Sequence, residues 1–100
     1  MNKELEKIQQ AQDLYNQWVE LLPELEKSFE QWKKATDIIE QLGKFYFSDK
    51  WRDLHDNADQ YKIDTKGNYS VLSEDAVWNA VHEKRELDLQ WLKAIVAKLD

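Results

Sequence analysis

The sequence has no cysteine, one proline, two glycines and one methionine in 100 residues. Without cysteine there is no disulfide framework, no thiolate zinc site and no cysteine nucleophile. Two glycines and one proline supply too little turn material for an all-β fold. No stretch approaches ~20 consecutive apolar residues, and the first residues lack the apolar run of a secretory signal, so a soluble cytoplasmic protein is expected. A block of like charge is missing as well. The 20 acidic and 14 basic residues give a formal net charge of −6, divided as 9 acids and 6 bases over residues 1–45, 5 and 4 over 46–72, and 6 and 4 over 73–100. A nucleic-acid binder would show a basic face, so neither direct nucleic-acid contact nor a membrane is expected as a partner. An acidic protein that mimics nucleic acid to occupy a basic partner is an alternative, against which the interspersed charges argue.

What the chain does have is aromatic mass and helical periodicity. Five Trp, four Tyr and three Phe allow one core built from few, large side chains, and 100 residues leave room for a single domain. Leu5, Ile8, Tyr15, Val19 and Leu22 follow helical spacing, with Gln12 filling one place on that face. Leu22, Leu25, Phe29, Trp32, Ile39, Leu42 and Tyr46 repeat the pattern, with a phase slip at Pro23. Pro23 either opens a second helix or kinks one long helix; the residues just before it, Val19 to Leu22, include no loop former, which favours the kink. Glu30 with Lys34 and Glu40 with Lys44 are pairs four apart on exposed faces, and Gly43 marks where the helix begins to end.

Residues 46–72 form a connector of acids and aromatics. Tyr46, Phe47, Trp51 and Tyr61 are expected to pack back onto the helices, and Lys66-Gly67-Asn68 is the clearest turn signal. No regular helix is expected to run through this stretch. The final helix, 73–99, is predicted to start at Ser73, whose hydroxyl suits an N-cap, with Glu74 and Asp75 at the positive end of the dipole. The sum is an all-α chain, an antiparallel helical hairpin or three-helix bundle with a long kinked N-terminal helix, with Trp32 and Trp91 in the core.

Candidate sites are few. Asp53, Asp56 and Asp59 share one side of a helical turn with His55 nearby, and oxygen and imidazole ligands could converge there on a divalent metal. The spacing matches no calcium loop, so a solvated acidic turn competes with a metal-binding or metal-assisted reading. His82-Glu83-Lys84-Arg85-Glu86 resembles a zinc-protease helix with Glu in place of the second His, which removes a ligand and leaves a charged helix surface. Ser70 and Ser73 have no neighbouring base, and no phosphate-cradling glycine loop occurs. No catalytic residue and no cofactor is expected.

The segments Phe45-Tyr46-Phe47-Ser48-Asp49-Lys50-Trp51-Arg52-Asp53-Leu54 and Tyr69-Ser70-Val71-Leu72-Ser73-Glu74-Asp75-Ala76-Val77-Trp78, with the Glu- and Leu-rich helix before them, resemble a family of small bacterial proteins known as domain of unknown function 4298. A Gly usually precedes the Val-Leu-Ser-Glu-Asp segment of that pattern; Ser70 stands there here, with Gly67 upstream. The resemblance implies an all-helical bacterial protein and no catalytic residue.

The expected function is that of a protein-interaction module whose partner is another protein or another copy of itself. Surplus apolar side chains beside the main stripes motivate it. Trp18, Trp51, Tyr61, Trp78 and Leu89 are the contact candidates.

Overall fold

The computed structural model describes residues 2–99. It is all-α, in the order α1 (Lys3–Tyr46), α2 (Trp51–Asp56), a 3-10 turn (Ala58–Gln60) and α3 (Ala76–Leu99), with no strand among the described residues. The chain divides into two units, the first ending at Ala35 and the second starting at Thr36.

The first unit is helix alone. Asn2 caps it: its Oδ1 accepts from the amides of Glu4 at 3.0 Å and Leu5 at 3.2 Å, satisfying two of the donors that every helix start leaves free. Pro23 lies inside α1 and does not break it. Its missing amide would have bonded the Val19 carbonyl. Pro23 is exposed, with the charged Glu20 and Lys27 one turn to either side, so water can take up that carbonyl. With the helix continuous, the phase slip disappears. A spacing of three and four runs unbroken through Ile8, Ala11, Tyr15, Trp18, Leu22, Leu25, Phe29, Trp32, Thr36, Ile39, Gly43 and Tyr46. The slip arises when the flanking residues Gln12 and Val19 are taken in place of Ala11 and Trp18.

In the second unit the members of this register, Thr36, Ile39, Gly43 and Tyr46, are half-buried. Here the end of α1 and the start of α3 run antiparallel, since the Tyr46 hydroxyl donates to the Glu74 carbonyl at 3.1 Å and Lys84 Nζ donates to Thr36 Oγ1 at 2.9 Å. The buried side chains among the described residues are Trp51, Leu72 and Val77, the last only 2% exposed. Trp91 is exposed and Trp32 half-buried, so the predicted Trp32 and Trp91 core is corrected: the core lies in the connector and the first turn of α3. The ion pair near Glu30 is with Lys33 at 2.8 Å, one residue earlier than predicted.

Two glycines behave in opposite ways. Gly43 does not end the helix, which continues to Tyr46, and an added Cβ there meets nothing within 4 Å. Gly67 has φ +85°, next to Lys66 at φ 51°, and the turn they make is closed by Asn68 N–H donating to Thr65 O at 3.0 Å. The predicted turn is therefore present, with the left-handed backbone at Lys66 and Gly67. Gly43→Ala is expected to stabilise the protein by ~0.5–1 kcal/mol through helix propensity, and Gly67→Ala to destabilise it by ~1 kcal/mol through left-handed strain. Thermal melts of both variants shifting the same way would contradict this assignment.

Candidate interaction surface

The connector aromatics turn out to be fasteners. Trp51 Nε1 donates to the Val71 carbonyl at 3.1 Å, and His55 Nδ1 lies 2.5 Å from the Leu72 carbonyl, so that nitrogen carries the hydrogen. With Tyr46 on Glu74, three rings hold three carbonyls of one short segment that precedes α3. Trp51 also stacks on His55 at 4.8 Å and lies against Tyr46 at 4.7 Å. Being 6% exposed, Trp51 is core and not a contact residue, which corrects its place among the interaction candidates. Phe47 and Tyr61 do not pack back as expected: both are exposed, Phe47 edge-on to Tyr46 at 5.0 Å.

Ser70 closes a turn with its side chain. Its Oγ accepts from Leu72 N–H at 3.1 Å, and its carbonyl accepts from Ser73 N–H at 3.0 Å and Ser73 Oγ at 2.6 Å. Ser73 is thereby engaged in this turn, and α3 starts at Ala76, with Asn79 N–H on the Asp75 carbonyl at 2.8 Å. The predicted N-cap at Ser73 is corrected by that geometry.

Asp53, Asp56 and Asp59 are exposed, Asp53 and Asp56 on α2 and Asp59 in the 3-10 turn, while His55 is half-buried and directed at Leu72. Among the described residues no group of three or more His, Asp or Glu side chains is placed to hold a metal ion. As expected, no helix runs through the connector, but it holds one short turn of helix, α2: the Leu54 and Asn57 amides bond the Lys50 and Asp53 carbonyls, and the turn brings Trp51 and His55 to one side. His82 lies against the Trp78 ring at 4.2 Å, its Nδ1 3.1 Å from the Trp78 carbonyl. Lys84, which the sequence places in a charged surface run, has a side chain only 12% exposed, with Nζ 2.6 Å from Asp88 Oδ2. The signal for it is the spacing Val77, Val81, Lys84, Asp88, Trp91, Ile95, which places Lys84 on the inner side of α3.

A groove of about 640 Å³ is lined by Leu42, Val71, Val77 and Ala80, with Tyr69 and Glu83 as the titratable side chains along it.

The apolar faces are the larger feature. Every residue from Asn2 to Gln31 is exposed, including Leu5, Ile8, Leu14, Tyr15, Trp18, Val19, Leu21, Leu22, Leu25 and Phe29. Polar side chains beside this face bond along the helix, Gln9 donating to Asp13 and Gln12 to Asn16, both at 2.9 Å. On α3, Trp91, Leu92, Ile95, Val96 and Leu99 are exposed too. Of the predicted contact residues, Trp18, Tyr61 and Trp78 are about half exposed and Leu89 is partly covered; Trp18 alone belongs to a continuous apolar face in the first unit. No described helix is long and apolar enough to cross a membrane.

The model of a family described as Domain of unknown function (DUF4298) matches residues 8–94. Comparison with curated proteins and with solved structures finds no match.

Proposed function

The chain belongs to the DUF4298 family, whose description carries no activity, and from the geometry of the chain itself we propose that it is a protein-interaction module whose working surface is the apolar face of α1. One observation carries this: the first unit is a single helix with an unbroken apolar register and every described side chain exposed up to Gln31. A lone helix gains little stability in water from propensity, so a face this wide is one that association buries. The activity is binding rather than chemistry. The proposed setting is the cytoplasm, which suits a chain without cysteine.

A photo-reactive amino acid tests it directly. Placed at position 18 in the full chain inside its host cells, it is expected to give protein adducts on illumination, whereas at position 13, on the polar side, it gives none. Equal labelling from both positions, or none from 18, overturns the proposal.

A further inference from the structure

The apolar face of α1 carries a pattern that selects its occupant. Its central register, Ala11, Tyr15, Trp18, Leu22, Leu25 and Phe29, is uneven in size, with each aromatic opposite an aliphatic residue about Glu20, and its five large members are 38–60% exposed. In a parallel, in-register pair each residue would meet itself. Trp18 against Trp18 makes a layer too wide, and Ala11 against Ala11 one too narrow, for a helix pair of constant separation. Turned antiparallel, with a-type positions facing d-type ones, the same residues pair as Ala11 with Phe29, Tyr15 with Leu25 and Trp18 with Leu22. Every layer then holds one aromatic and one aliphatic side chain.

We infer that the occupant of this face is the same face of a second copy, the two α1 helices crossing antiparallel about a two-fold axis near Glu20. This rests on the interaction reading above and names its partner. Charge agrees with it. In this register Val19 and Leu21 meet their own copies beside the axis, Gln12 faces Glu26, and no like-charged pair is brought together. The band from Leu14 to Leu22 has charge only at Glu20, on its outer side, so two chains of net charge −6 meet where neither is charged. Area agrees as well. The ten large apolar side chains of the face expose on the order of 1,000 Å² per chain, against the ~800 Å² per partner of a stable interface.

Light scattering of the full chain over a concentration series is expected to give twice the 12.0 kDa mass of one chain, and Trp18→Glu to weaken the pair at least ~100-fold. Register is read independently of that variant, because the absence of native cysteine makes single-cysteine chemistry clean. A short bis-maleimide is expected to link Leu21→Cys chains into covalent dimers and to leave Lys7→Cys chains unlinked, since two copies of position 7 would lie ~40 Å apart in this register. Linkage at position 7, or the mass of one chain at every concentration, overturns the inference. In the latter case, adducts to a different protein from position 18 would leave the broader interaction reading standing, and no adducts would end both.

Discussion

Trp51→Ala is expected to destabilise the second unit by ~3–5 kcal/mol, enough to leave a domain of this size largely unfolded. Two costs add. The ring is 6% exposed and packs with Tyr46 and His55, so its removal opens a cavity in a core whose other buried members are Leu72 and Val77. It also takes away the donor of the Val71 carbonyl, one of three carbonyls by which the segment before α3 is held. Trp51→Phe separates the two: it keeps most of the ring and loses only the N–H, for an expected ~1–2 kcal/mol. Urea unfolding followed by circular dichroism, with hydrogen exchange to locate the loss at the start of α3, measures both. A midpoint for Trp51→Ala equal to that of the unaltered protein would show that the connector aromatics are ornament on the fold.

That result would bear on why some of this molecule is legible in its sequence and some is not. Helices are announced by local spacing, and the long first helix and the last one lie close to where periodicity puts them. The Lys66-Gly67 turn is legible for the same reason, because left-handed backbone needs particular residues locally. Trp51, Tyr46 and His55 act across 17 to 28 residues of sequence, on backbone carbonyls that leave no trace in side-chain identity. Their aromatic and acidic neighbours therefore read as contact residues or a metal site until the partners are seen. Ser73 is misread because one hydroxyl can cap a helix or close a turn, and the nearby Ser70 decides which. The register of α1 is hidden by choices between adjacent residues, Ala11 or Gln12 and Trp18 or Val19. Only the continuity of the helix through Pro23 shows that one three-four spacing serves all of it.

Lys84→Glu is expected to cost ~2–4 kcal/mol, a large effect for a residue in a run of charges. The side chain is 12% exposed, and its ammonium reaches Asp88 on its own helix at 2.6 Å and Thr36 on α1 at 2.9 Å. A carboxylate there would face the Asp88 carboxylate, 35% exposed, with little water between them to screen the repulsion. Lys84→Met keeps the aliphatic stem and removes the charge, so it should cost less, ~1–2 kcal/mol. Exchanging the signs, Lys84→Glu with Asp88→Lys, should recover part of the loss, because the pair is restored on α3 while the link to Thr36 is weakened. The coupling free energy from the double-mutant cycle measures the ion pair, and the unrecovered part measures the tie to α1. If Lys84→Glu and Lys84→Met destabilise equally within ~0.5 kcal/mol, charge is not what fixes this contact, and the stem of Lys84 packing between the helices must account for it.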